Sequence, residues 1–386
     1  MATTQPRDFG FGEEEQMVRD SVARYLADNA GIENLRGLVA SDPEKAYDSG
    51  ENPAPWNEQT WQGLVELGVS SLAVPESNGG AGMKMVAVAA VAEEAGRVAL
   101  PSPLVATLVA TCVAREADSP GAAELLGEIA AGAAVSLAGV RADGDWQVDC
   151  DEVQASGSND APVLSGEATF VQDARKAGSF LVAARAEAGV GLYRVAADAP
   201  GLTIAPDRIV DLTRDQARLK FNGVELDADC VVAAPGRGSA ALMAALPAVL
   251  VIVAADMCGA AEWQMQTTAD YARTRVQFDH PLGFFQAVKH PTVNMMLDID
   301  RARSLVYAAA CAVDCEPAQA ERLARMAKAA ASDMAGFCSG RSVQLHGGIG
   351  FTWECDLHLY FKRQCHNQVL YGDAGQQRDN LAALLD

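Results

Sequence analysis

The sequence predicts an α+β fold in three segments: helical, then stranded, then helical again. Three observations carry this. Apolar residues recur at helical spacing through roughly the first third of the chain. Short β-type runs follow, separated by turn residues at intervals of about 8–12 residues, the spacing of an antiparallel barrel or sandwich. Helical spacing then returns and persists to the end. Alternating β-α units are missing, which excludes a doubly wound sheet. The expected domains are 1–128, 129–233 and 234–386. A chain of 386 residues, 49% hydrophobic, is long enough for two or three full-sized cores.

In the first segment, Met17, Val18, Val22 and Leu26 mark a helix over Glu13–Asn29. Trp61, Leu64, Val65 and Leu67 mark another over Trp56–Leu67. Pro75-Glu76 and the glycines at 79, 80 and 82 then form a turn. Met83–Ala99 and Pro103–Glu116 return to helix, rich in Ala and Val. The middle segment reads as the strands AAVSLAGV, DWQVDC, ATFVQDA, SFLVAAR, GLYRV, LTIAP and ARLKFNGVEL. In the last segment, Ala240–Arg273 is one long helix or two. Asp279–Pro281 and Gly283 break the pattern, and helices follow over Phe285–Val313 and Ala318–Ser339. Cys355–Gln368 and Gln376–Leu385 complete the set. No internal repeat is visible.

The balance of 30 basic and 51 acidic residues, net −21, argues against nucleic acid or an anionic membrane as the main partner. Nine cysteines without framework spacing point to a reducing compartment, and no apolar leader opens the sequence, so a cytoplasmic location is expected. The most apolar window, Ala240–Ala255, contains Pro247 and is short for a membrane span; a buried helix explains it better.

The stretch QLHGGIGFTWE is the most informative. Gly347, Gly348 and Gly350 remove Cβ atoms, so backbone amides could approach phosphate oxygens, with Gln344 beside them. The plain alternative is a glycine turn that ends a helix. Helical text precedes it, unlike a Rossmann or P-loop motif. His346, His358 and His366 lack a metal-ligand period, and no metal site is expected. Trp353 and Phe351 read as packing the turn, and Glu354, Asp356, Lys362 and Arg363 as a solvated or interface face.

Taken with LVELGVSSLAVPESNGGAGM, AAVAEEAGR, DLTRDQARLKFNGVEL and YARTRVQFDHPLGFFQAVKHP, this stretch resembles the acyl-CoA dehydrogenase family over nearly the whole chain. The resemblance implies an N-terminal helical domain, a central β-barrel and a C-terminal four-helix bundle. It implies FAD as cofactor, an acyl-CoA substrate desaturated between its α and β carbons, and an electron-transfer flavoprotein as acceptor. By position in the family pattern, Arg275, Gln277 and Phe278 would reach the FAD of a neighbouring subunit. Phe285, Gln286, Gln344, Gly347 and Gly348 match further contacts to it. Asp279 stands where the family usually has Gly, placing a negative charge near a pyrophosphate.

Other positions depart from the family. VSLAGVRADGDW lacks the Thr-Glu-Pro and Gly-Ser-Asp type of turn that touches the flavin ring. In ATFVQDA, Phe170 stands for the family's aromatic, but Gln172 replaces its hydroxyl residue. A gap-free count from Gln344 brings the catalytic Glu position to Tyr371, followed by Gly372. The alternative Glu position, on an earlier helix, falls on Val249, between Ala248 and Leu250. No catalytic residue is therefore assigned. Asp373 is the nearest carboxylate, and Asp373-Ala-Gly-Gln376 has the spacing of a capping box. The chain resembles one member of the two-chain α2β2 dehydrogenases of actinobacteria, which act on bulky thioesters including steroid side chains. That implies a heterotetramer with a second subunit carrying the Glu. The remaining alternative is a self-sufficient enzyme using Asp373 or another base.

Overall fold

The computed structural model describes residues 6–39, 54–139, 152–158 and 160–384. The N-terminal helices are α1 (Glu13–Asn29), α2 (Ile32–Val39), α3 (Glu58–Glu66), α4 (Met85–Arg97), α5 (Leu104–Arg115) and α6 (Pro120–Ala130). Local chemistry sets their starts. Asn57 caps α3 by accepting from the Gln59 and Thr60 amides, and Ser119 caps α6 with Pro120 in its first turn. Helix α4 is buried on nearly every face because it is sandwiched between α1 and the long C-terminal helix α7 (Gly238–Thr274). Gly96 and Gly259 permit that crossing: a Cβ on either would collide with a backbone carbonyl of the other helix, Asp256 O or Glu93 O.

The strands are β1 (Val135–Ala138), β2 (Val153–Ser158), β3 (Ala161–Gln172), β4 (Ser179–Ala186), β5 (Gly189–Ala196), β6 (Leu202–Pro206), β7 (Gln216–Glu225) and β8 (Val231–Ala233). They form one sheet in the order β6-β7-β3-β2-β4-β5-β8, with β1 beside β4. Both β1 and β2 pair with β4 in parallel, so the sheet is mixed, and its pairings among the described residues do not close it into a barrel. The expected antiparallel barrel is corrected accordingly. The expected strand DWQVDC lies outside the described residues. Strand β3 is longer than expected and carries a register shift between Ala168 and Val171, where Phe170 takes a left-handed φ of 55°.

After α7 comes the two-stranded hairpin β9 (Val276–Gln277) and β10 (His280–Pro281), then α8 (Gln286–Cys315), α9 (Pro317–His346), α10 (Leu357–Val369) and α11 (Ala374–Ala383). Helix α7 is one unbroken helix despite Pro247. Proline leaves the carbonyl four residues earlier without its usual donor, and that residue, Met243, is exposed to solvent. Helix α7 is long and apolar enough to cross a membrane by composition, but 89% of its most apolar window is buried inside the protein, as expected of a core helix. Helices α7, α8 and α9 pack on one another, α10 lies against α7 and α9, and α11 lies against α9. The buried Glu93 carboxylate of α4 braces the N-terminal helices to α8, accepting from Arg303 Nε at 2.8 Å and Tyr307 OH at 3.1 Å.

Candidate functional site

The residues singled out in the sequence fall into two regions. The first lies at the end of the helical bundle where α7 and α9 finish. Tyr271 of α7 stacks on His346 of α9 with ring centroids 4.2 Å apart, bringing the hairpin and the glycine turn to the same end. Arg275 caps α7, and its carbonyl accepts from Leu282 N at 2.8 Å to close the hairpin. Its side chain is exposed and makes no ion pair among the described residues. Gln277, also exposed, donates only to the neighbouring Val276 carbonyl, at 2.9 Å.

Phe278 and Asp279 are the two central residues of this hairpin, with φ of 53° and 60°. Both angles are what a two-residue turn of the I′ type requires. Asp tolerates that conformation well; Phe does not, and the strain is held by the turn. Phe278 is 83% exposed, its ring meeting Phe285 edge-on at 6.2 Å. Phe285 is half-buried at the start of α8, and Gln286 beside it is exposed.

The glycine turn follows α9. The Gly347 amide is bonded to the Gln344 carbonyl, so at this residue the turn ends the helix and its N–H is committed. What the turn offers is bare surface. A Cβ at Gly347 or Gly348 would meet nothing, and the Gln344 side chain stands exposed alongside. Gly350, by contrast, packs closely on Val343. Phe351 does not pack the turn as expected; it is 72% exposed, while Trp353 is half-buried against His358 and Lys362.

The second region is a cleft of about 760 Å³ between β3, β7 and the elbow joining α10 to α11. Phe170, Gln172, Gln216, His366, Leu370 and Tyr371 line it. Tyr371, the residue that the gap-free count sets at the family's Glu position, is buried and has a left-handed φ of 57°. Burial pushes its phenol well above the ordinary value, so it is a poor base. Val249, Ala248 and Leu250 sit in the apolar core of α7 and offer no carboxylate. Asp373 lines the cleft but caps α11, accepting from Gln376 N at 2.9 Å. Lys328 of α9 lies fully buried under the same elbow. It donates to Ser332 Oγ, Gln368 O and Gly372 O at 3.1, 3.0 and 2.9 Å. Burial pulls its amine down to about 7, with Asp373 acting in the opposite sense.

Behind the cleft is a buried ionic cluster that the sequence reading missed. Arg363, expected on a solvated face, is fully buried and holds Asp256 through Nε at 3.0 Å and a second nitrogen at 2.6 Å. Arg214 approaches the same carboxylate at 3.2 Å, and Asn367 donates to it at 2.6 Å. Burial alone would raise the Asp256 carboxyl, but Arg363 and Arg214 outweigh it and hold it below the usual carboxylate range. His346, His358 and His366 serve separate neighbours: Tyr271 for His346, Trp353 for His358 and Gln172 for His366. No group of metal-ligating side chains gathers among the described residues.

Comparison with known proteins gives the fold its place. The acyl-CoA dehydrogenase N-terminal domain pattern matches residues 12–133, and the C-terminal domain pattern matches residues 236–385. The acyl-CoA dehydrogenase IpdE2 of Mycobacterium tuberculosis is 34% identical over 91% of this chain and 91% of that protein. FadE34 of the same organism is 30% identical over 96% of this chain and 48% of its own length. Among solved structures, a variant of the Tcur3481-Tcur3483 steroid ACAD superposes with a TM-score of 0.83 at 27% identity, covering 97% of this chain and 98% of that one. The ChsE4-ChsE5 complex from Mycobacterium tuberculosis gives 0.83 at 25% identity, covering 97% of each. The chain belongs to the acyl-CoA dehydrogenase family, oxidoreductases that act on CH–CH bonds with FAD as cofactor.

Proposed function

We propose that this chain is the non-catalytic subunit of a heteromeric acyl-CoA dehydrogenase, completing the FAD site of a partner that carries the catalytic Glu. One observation carries the reading: the side chains of Arg275, Phe278 and Gln344, matched to a neighbour's cofactor, stand exposed, whereas Tyr371 and Val249 stand at the positions matched to the family's Glu. Family chemistry removes an α-proton next to a thioester, which needs a desolvated carboxylate within reach. Tyr371, Val249 and the capped Asp373 do not supply one.

The residues at the bundle end fit the dinucleotide end of FAD. Arg275 supplies a guanidinium for the pyrophosphate, a charge-assisted pairing. Gln277 and Gln344 supply amides, Phe278 and Phe285 an aromatic face, and Gly347 and Gly348 a surface without side chains. Gln286 stands at the edge of this surface. Bound FAD supplies the acceptor for the β-hydride. The strained, exposed Phe278 is the kind of ring that a partner surface covers. The relatives named for a steroid ACAD and for a two-protein complex support a bulky acyl-CoA, of the steroid side-chain type, as substrate and a heterotetramer as the assembly. An electron-transfer flavoprotein takes the electrons, in the cytoplasm.

The test is co-expression with a family member whose Glu is intact. Alone, the chain binds little FAD and does not oxidise acyl-CoA; with the partner, both appear. Arg275→Ala lowers FAD occupancy of the complex while leaving the fold of this chain unchanged. Stoichiometric FAD and turnover by the isolated chain would overturn the reading in favour of a self-sufficient enzyme.

A further inference from the structure

We propose that this chain's own cleft is closed to a flavin ring by a directional chain of side-chain hydrogen bonds, His366 to Gln172 to Gln216 to Asp207. The inference deepens the partner reading and rests on it for the claim that FAD is held elsewhere.

The direction of each bond is fixed by atoms that can only accept. Gln172 Nε2 donates to the Phe170 carbonyl at 3.0 Å, so the amide nitrogen faces that way. The same nitrogen donates to Gln216 Oε1, also at 3.0 Å. Both N–H groups of Gln172 are therefore used. Its oxygen is left for His366 Nε2 at 2.8 Å, which must carry the proton. Gln216 Nε2 in turn donates to the Asp207 carboxylate at 3.0 Å, which sets the Gln216 amide. Gln172 and Gln216 are both buried. Of the donors these three side chains aim at the cleft, a single N–H of Gln216 is left over.

A flavin ring needs what this floor has already committed. Its N5 and carbonyl groups call for hydrogen-bond donors, and unpaired polar edges in a buried site are costly. Gln172 also holds Phe170 in its left-handed conformation through the carbonyl bond, so the ring wall and the polar floor are fixed together. Asp373 and Asp379 also line the cleft, and their negative charge disfavours a phosphate-bearing ligand. The bonds also span the two halves of the chain, tying β3 and β7 to α10.

Lumiflavin, the uncharged ring alone, is the direct probe. Titrated with the isolated chain and followed by its own fluorescence, it is expected to show no quenching. The double variant Gln172→Ser with Gln216→Ala frees the His366 N–H and the space above it. It is expected to bind the ring at least about tenfold more tightly than wild type, a gain of about 1.4 kcal/mol. Should the double variant fail to fold, Gln216→Ala alone keeps the Phe170 bond, frees one Gln172 N–H and shifts binding the same way. Quenching by the wild-type chain, or no gain in a folded variant, overturns the proposal. Failure of the partner reading looks different: FAD in the co-expressed complex would ignore Arg275→Ala, whatever lumiflavin does with the isolated chain.

Discussion

The bundle end and the cleft are built on opposite principles. At the bundle end, a cation, two amides and an 83%-exposed Phe278 on a left-handed backbone face solvent. The side chains of Arg275 and Phe278 do little for this chain on its own. In and beneath the cleft, the polar groups named above are paired internally: Gln172 with Gln216 and His366, Asp373 with a helix end, Lys328 with two carbonyls and a hydroxyl. Surface that stays unsatisfied in the monomer is surface awaiting something outside it. Surface that satisfies itself contributes stability and has no capacity left for a ligand. The two regions therefore answer differently to substitution, and each experiment below sets one against the other.

The largest contrast is between two arginines. Arg363 anchors the wall of the cleft, fully buried on Asp256. Arg363→Met strips that carboxylate of its bidentate partner and is expected to lower the unfolding free energy by about 3 kcal/mol or more, read from denaturant titration. Arg275→Ala, on the exposed end, should move stability by no more than about 0.5 kcal/mol. If the two cost the same, the division into a structural cleft and an external surface is wrong.

The sequence disclosed these two arginines unequally. Arg275 was singled out because its neighbours in RVQFDHPLGFF form a continuous motif, and it stands exposed. Arg363 was not, because its partner Asp256 is 107 residues away, and helical periodicity places a charged residue outward by default. The same limit explains the sheet. Period-2 runs located most strands, but nothing in them says that β1 and β2 pair with β4 in parallel. Most of the helices, by contrast, were read close to their observed ends, since caps and turns are local. Gln172 was noticed only as a substitution. Its role became visible once Gln216, which no motif reading had marked, and His366 were found beside it.

A smaller contrast concerns pH. Lys328 supports the cleft elbow, and burial holds its amine at about 7, against about 10.4 for a free lysine. Between these values the unfolded chain binds more protons at this position than the folded one. Stability from this group accordingly rises with pH across that window, by up to about 1.4 kcal/mol per pH unit. Denaturant midpoints at pH 7 and pH 9 should show the rise, and Lys328→Met should flatten it. Arg275→Ala touches none of the groups that hold Lys328, so it should leave the profile unchanged. A wild-type profile already flat would mean that Lys328 keeps its proton in the fold.

The smallest effect decides most about the cleft. Asp373 is the carboxylate nearest Tyr371 along the chain, and it is engaged in capping α11. Asp373→Ala removes the cap and is expected to cost about 1 kcal/mol of stability. Asp373→Asn keeps an oxygen for the Gln376 amide, and Asn caps about as well as Asp, so stability should not change. The pair separates the carboxylate's charge from its geometry. In the co-expressed complex, both variants should turn over acyl-CoA at the wild-type rate. Loss of turnover in Asp373→Asn with FAD still bound would make that carboxylate a base. The cleft would then be an active site, and its satisfied hydrogen bonds would mark an enzyme at rest.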